Sequence, residues 1–228
     1  MAVDEGKRPT TWALVAWFVV HTTVWIGLVK LVPGGDGVDY VDLGVSGTPW
    51  VRQFIIALTV VAVLQVVLIS RLGWWESVLR EPARSARRWL WVPAVLIAVL
   101  GVATFAGDGL STEAGASYLV GCALTMVLVG TTEELTFRGI LQVGGRRVFA
   151  REWHAVVFAS ALFGLFHTPN IVIGADVSDA LRQTVVTAVI GSGFYALRRA
   201  SGSLVPCIVL HAAYDFMLIQ GAWDSLPG

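Results

Sequence analysis

Residues 117–142 read SYLVGCALTMVLVGTTEELTFRGILQ. The run up to Gly130 is apolar or small, and with its continuation it reaches the roughly 20 residues a helix needs to cross the hydrocarbon core of a bilayer. Yet Glu133, Glu134 and Arg138 lie in the same stretch. A charged side chain at bilayer depth costs about 2.5–3.5 kcal/mol even on lenient insertion scales. A helix that carries three must pair them or turn them toward a wet cavity.

Working outward from this span, six further apolar stretches are predicted to cross, at about 12–32, 52–70, 89–106, 153–168, 182–197 and 203–220. Residues 169–181 lie between two of them and are expected to hold a re-entrant or short helix, or an eighth span. The fold class expected is therefore an all-α, polytopic transmembrane bundle of seven or eight spans. Residues 1–116 are read as spans one to three, and 117–228 as the core that carries the chemistry. The chain has 228 residues, 56% of them hydrophobic and 14% charged, with mean hydropathy +0.72. A soluble domain of this size needs more polar surface than that. Net charge is zero, which leaves a nucleic-acid partner without an electrostatic footprint. Cys122 and Cys207 sit in apolar runs and read as small packing residues, not as a disulfide framework. The run from Trp12 to Val32 is too long for the core of a secretory signal and lacks a small-residue cleavage site.

The connecting segments alternate in sign. Lys7 and Arg8, then Arg71, Arg80, Arg84, Arg87 and Arg88, then Arg146, Arg147 and Arg151, and finally Arg198 and Arg199 fall on one side. Asp36, Asp39, Asp42, Asp108, Glu113, Asp176, Asp179 and Asp224 fall on the other. The positive-inside rule then places the N-terminus in the cytoplasm.

The ionisable groups left at membrane depth are Glu133, Glu134, Arg138, His167, His211, Asp215 and His21. At 1.5 Å per helical residue, Glu133 and His167 each lie about 20 Å from the basic face, and His211 about 12 Å. They can meet in mid-membrane. Glu134 and Arg138 are four apart and share a helix face, as do His211 and Asp215; Phe163 stands beside His167 in the same way. Glu133 points about 100° away from Glu134.

A desolvated carboxylate suits a general base. Glu133 is accordingly assigned to activate water, with His167 positioning it. Glu134 and Arg138 form a supporting ion pair, and His211, oriented by Asp215, stabilises a tetrahedral oxyanion. His21 lies outside these patterns and reads as packing or interfacial, and His154 beside Trp153 as an interface residue. The tryptophans are read as belt anchors, and Gly191 and Gly193 as close helix contacts.

Glu133-Glu134-Leu-Thr-Phe-Arg138 fits E-E-x-x-x-R, Phe163-Gly-Leu-Phe-His167 fits F-x-x-x-H, and His211-Ala-Ala-Tyr-Asp215 fits H-x-x-x-D/N. In this order the three resemble the CPBP family of intramembrane endopeptidases, which includes type II CAAX prenyl endopeptidases and bacterial Abi-type proteins. The resemblance covers about residues 117–220. It implies a peptidase of membrane-anchored or lipidated peptide or protein substrates, in a bacterial cell membrane, with Glu133 and His167 activating water. The CAAX enzymes of the family carry Asn where this chain has Asp215. An ionised Asp cannot donate to an oxyanion, so Asp215 either orients His211 or is itself protonated.

The resemblance also brings a metalloprotease alternative, in which His167, His211 and Glu133 would hold zinc. The H-E-x-x-H spacing of zincins is absent and Arg138 repels a cation, so no cofactor is the favoured expectation. Two rival classes remain. A proton-coupled transporter would bury similar groups, but the chain shows no matching broken halves. A non-catalytic immunity or scaffold protein on the same fold would tolerate loss of Glu133.

Overall fold

The computed structural model describes residues 8–31, 48–108 and 115–221. Asp36, Asp39, Asp42, Glu113 and Asp224, expected on the acidic side, lie outside the described residues, as does Lys7. The described chain is all-helical, apart from one isolated bridge between Arg80 and Ser203.

The long helices are α1 (Thr11–Leu31), α2 (Thr48–Leu72), α4 (Val92–Asp108), α5 (Gly115–Glu134), α7 (Glu152–Leu165), α8 (Val177–Ser201) and α9 (Val205–Gly221). Short α3 (Trp75–Leu79) and α6 (Gln142–Val148) complete the set. Among the described residues five helices are long and apolar enough to cross a membrane: Thr11–Leu31, Val51–Leu72, Arg88–Ala106, Ala116–Val148 and Glu152–Ile173. Val205–Gln220 is apolar but shorter. Helix α8 is long enough, yet Asp179, Arg182, Arg198 and Arg199 dilute its apolar character. Residues Val95, Leu96, Val99 and Leu100 of α4 are each more than half exposed. Such a contiguous apolar face on the outside of a bundle belongs in lipid.

Helix α5 sits at the centre, against α2 on one side and α9 on the other, while α4 closes on α9 and α7 on α8. Small residues allow the closest approaches. A Cβ on Gly130 would meet the Ala212 nitrogen and Ile208 oxygen at 3.0 Å, and one on Gly164 would meet the Thr184 oxygen at 2.3 Å. The expected close contacts at Gly191 and Gly193 are present, toward Phe163 and Pro93 respectively. Cys122 and Cys207 are buried and unpaired, as packing residues should be.

The central helix departs from prediction. It runs on from 142 to Val148, and Leu135–Leu141 within it is π-helical. Two side chains from far along the chain take its carbonyls. Gln65 Nε2 donates to the Thr132 oxygen at 2.6 Å, and Arg198 donates to the Arg138 oxygen. A side chain inserted into the α-helical ladder is a recognised way to open it, and π segments are frequent at functional sites.

The basic segments gather at one end of the bundle. Glu81 N bonds the Gly202 oxygen at 3.0 Å and Ser85 N the Arg199 oxygen at 2.8 Å. Arg146 pairs with Glu81 at 2.8 Å, and Arg199 with Glu152 at 2.8 Å. Arg147 lies over the Trp74 ring at 4.5 Å. Arg198, expected in a connecting segment after span six, is instead fully buried in the last turn of α8. It donates to the Ser77, Val78 and Arg80 carbonyls at 2.7, 3.0 and 3.2 Å. The loop that follows α2 folds back under the bundle and supplies those carbonyls, which is why a charge can be buried there.

Candidate active site

The six ionisable motif residues converge as their spacing predicts. Glu133 and Glu134 end α5, Arg138 lies in the π segment, His167 follows α7, and His211 and Asp215 project from α9. Glu134 is the hinge of the cluster. Its Oε1 accepts from Arg138 Nη1 at 2.7 Å and from His211 Nδ1 at 2.8 Å. His211 Nε2 then stands 3.3 Å from Asp215 Oδ2 and 3.6 Å from Glu133 Oε2. The orientation expected from Asp215 alone is thus shared, and the shorter bond belongs to Glu134.

Arg138 is sandwiched. Its guanidinium lies 4.2 Å from the Phe163 ring centroid and 4.8 Å from that of Phe194, and Nη2 donates to the Gly191 oxygen at 3.2 Å. A desolvated cation–π contact is worth about 2 kcal/mol. Two of them, with the Glu134 pair, offset the roughly 2.5–3.5 kcal/mol a buried arginine costs on insertion scales. Gly191 makes room for this packing, since a Cβ there would meet Arg138 Nη2 at 3.3 Å and the Phe163 ring at 3.0 Å.

Phe163, placed beside His167 by the sequence, does more than line the site. Its carbonyl accepts from His167 Nδ1 at 2.9 Å, and the two rings meet edge to face at 5.2 Å. With the proton on Nδ1, His167 Nε2 keeps a lone pair and can accept from water. Phe194, which the sequence did not single out, stacks on His211 at 5.0 Å and 22°. Its place four residues before Arg198 on α8 is the only hint the sequence carries.

A cavity of about 190 Å³ opens beside these groups, bordered by Glu133, His167, Asp215, Asn170 and Gln183, with Trp25 and Phe54 among its apolar walls. That is room for several waters. Glu133 Oε2 is buried and has no hydrogen-bond partner among the described residues. Trp25 and Phe54 come from α1 and α2, so the first spans help to wall the cavity, which no motif announces. A second hollow of about 140 Å³ borders His167, Gln183, His211 and Asp215 on the α8 side. His21 lies among the Trp17, Phe137 and Phe166 rings, in line with its reading as packing. His154 packs on Trp153 with centroids 3.8 Å apart.

Among the described residues no three His, Cys, Asp or Glu side chains are arranged to hold a metal ion together. Both histidines commit Nδ1 to protein acceptors, and Arg138 lies against the cluster.

A helical membrane protein with a buried glutamate–histidine centre is the class these features define. Residues 115–217 match the model of a family described as type II CAAX prenyl endopeptidase, Rce1-like. This is the family the three motifs resemble, and the matched segment contains all of them. No curated protein and no solved structure matches the chain.

Proposed function

We propose that the protein is an intramembrane endopeptidase that hydrolyses peptide bonds of membrane-anchored or lipidated substrates through a water activated by Glu133, without a metal. The observation that carries this reading is the Glu133 oxygen that makes no hydrogen bond, 3.6 Å from His211 Nε2, beside the cavity that His167 also borders. A carboxylate so placed can reach a water that His167 Nε2 holds from the other side.

The water oxygen attacks the scissile carbonyl carbon while its proton passes to the Glu133 carboxylate. The carbonyl oxygen takes up the negative charge, and His211 Nε2–H, presented by the Nδ1 bond to Glu134, donates to it. Collapse of this intermediate breaks the C–N bond, and the proton held on Glu133 goes to the leaving amine. Arg138 and His211 both engage the Glu134 carboxyl, so the two adjacent acids take different roles. Asp215 holds the other nitrogen of His211 in line. A metal-free reaction is supported by the arginine beside the acids, whose charge repels a cation.

Seven or eight spans with a cytoplasmic N-terminus complete the reading. It is supported by the gathering of the basic segments at one end of the bundle.

Wild type and Glu133→Gln, reconstituted in liposomes with membrane-anchored peptides, test the assignment by mass spectrometry of new termini. Wild type is expected to cleave with or without chelator. Glu133→Gln is expected to lose about 10²–10⁴-fold in kcat, the contribution of a general base. Chelator-sensitive cleavage restored by zinc would overturn the metal-free mechanism, and full activity in Glu133→Gln would overturn the role of Glu133.

A further inference from the structure

An oxyanion needs donors, and the motif side chains supply few. Glu133 and Asp215 are acids, and His167 spends Nδ1–H on the Phe163 carbonyl. The Arg138 guanidinium faces Glu134, the Gly191 oxygen and two aromatic rings. His211 Nε2 is shared with Asp215 at 3.3 Å. Outside the motifs, the same cavity is bordered by two carboxamides, Asn170 and Gln183.

Their placement is built. His167 caps the 3₁₀ segment Thr168–Ile173, and Asn170 N bonds the His167 oxygen at 3.1 Å. In 3₁₀ geometry residues three apart eclipse, so Asn170 stands on the face that His167 presents to the cavity. Gly174 ends the segment at φ 100, and Ala175 N closes back on the Asn170 oxygen at 3.0 Å. Thr168 and Thr184 share a 2.9 Å hydroxyl bond that pins the segment to α8. One turn away, Asn170 Nδ2 donates to Gln183 Oε1 at 3.0 Å. That bond orients the Asn170 amide and uses one of its two N–H groups. Asn170 is 7% exposed, which is the exposure of a cavity wall and not of a loop surface.

We infer that Asn170, oriented by Gln183, is the neutral second donor that receives the substrate carbonyl oxygen as it becomes an oxyanion. The inference rests on the endopeptidase reading of the site. It also assigns to an amide outside the three motifs the donation that a carboxylate at position 215 would not make. Asn170 is then a catalytic residue and Gln183 a positioning residue.

Kinetics of wild type, Glu133→Gln, Asn170→Asp and Gln183→Leu on one membrane-anchored peptide in liposomes test it. Asn170→Asp keeps shape and removes the donor. Its kcat is expected to fall about 10²–10³-fold, the range for loss of one oxyanion donor, with KM within about threefold. Gln183→Leu leaves the donor but frees its orientation, and a kcat loss of about tenfold is expected. A thioamide at the scissile bond, whose sulfur accepts hydrogen bonds poorly, should slow wild type more than Asn170→Asp. A merely structural role would not produce that difference. If Asn170→Asp does not fold, the Gln183→Leu kcat and its thioamide ratio decide. Unchanged kcat in these variants beside an inactive Glu133→Gln overturns the role of Asn170 and leaves the endopeptidase reading standing. Absence of cleavage by wild type overturns both.

Discussion

Arg138 and Arg198 are both buried to 2% exposure or less, both face a buried glutamate, and both lie in the half of the chain that carries the motifs. Their surroundings differ in kind. Around Arg198 the partners are carbonyls of the segment after α2, the carbonyl of Arg138, and Glu81, which Arg146 holds from its other side. Around Arg138 there are aromatic faces, one carbonyl, and a glutamate that also holds a histidine at the wall of a cavity. The first arrangement ties backbone to backbone. The second holds an imidazole beside space that water can enter. Burial of an ion pair therefore does not distinguish glue from chemistry; what the acid touches next does.

The largest expected effect separates the two acids. Glu134→Gln removes the anion shared by Arg138 and His211, and kcat per folded molecule is expected to fall about 10²–10³-fold through the lost positioning of His211. Glu81→Gln leaves Arg198 without its acid and Arg146 with Glu152 alone, and breaking a buried pair in this way costs about 3–5 kcal/mol. Thermal melting in detergent should report that loss, while kcat of the folded fraction stays within about threefold. A hundredfold loss of kcat in well-folded Glu81→Gln would show that the two networks act as one through the Arg138 carbonyl.

Two glycines sharpen the contrast with a smaller effect. A Cβ on Gly164 meets the Thr184 oxygen, which is backbone and cannot swing aside. Gly164→Ala should push α7 from α8, destabilise by about 1–3 kcal/mol and shift His167, so kcat falls with stability. Gly202 ends α8 at φ 84, where an L residue is strained by about 1–2 kcal/mol. Gly202→Ala should lower the melting midpoint and spare kcat. Equal kcat losses in the two would mean that the basic end of the bundle also sets site geometry.

Much of this contrast was legible in the sequence, and the part that was not has a common cause. Charges in an apolar run cannot face lipid, so Glu133, Glu134, Arg138, His167, His211 and Asp215 had to converge, and i,i+4 spacing named two of the pairs. The bond from Glu134 to His211 joins residues 77 apart, and the donation of Arg198 to the Arg138 carbonyl joins residues 60 apart. No local period encodes either. The π segment follows from such distant donors on an otherwise ordinary helical pattern, so the sequence predicts a plain helix there. Arg198 was misplaced for the reverse reason. Beside Arg199 at a span end it has the pattern of a positive-inside loop, and only the return of the segment after α2 buries it. Asn170 carries no charge, so the cost of burying charge did not point to it.

The smallest effect concerns the other end of α8, where the helix that ends in buried Arg198 begins at exposed Asp176. The Asp176 carboxylate caps the helix, accepting from Ser178 N at 2.7 Å and Asp179 N at 3.4 Å. The Ser178 hydroxyl and these amides hold its pKa below the ordinary 3.8. A folded-state pKa below the unfolded value adds stability that is present above 3.8 and is lost as pH falls through the folded value. Asp176→Ala should therefore lower the melting midpoint by only about 2 °C at neutral pH. The gap from wild type should narrow as the pH is taken below 3.8, and kcat should be unchanged. Since α8 also carries Gln183 and Gly191 into the site, a kcat that tracked the loss of this cap would mean that the fraying of its first turn reaches the cavity. The contrast between a structural end and a catalytic middle would then fail along that helix.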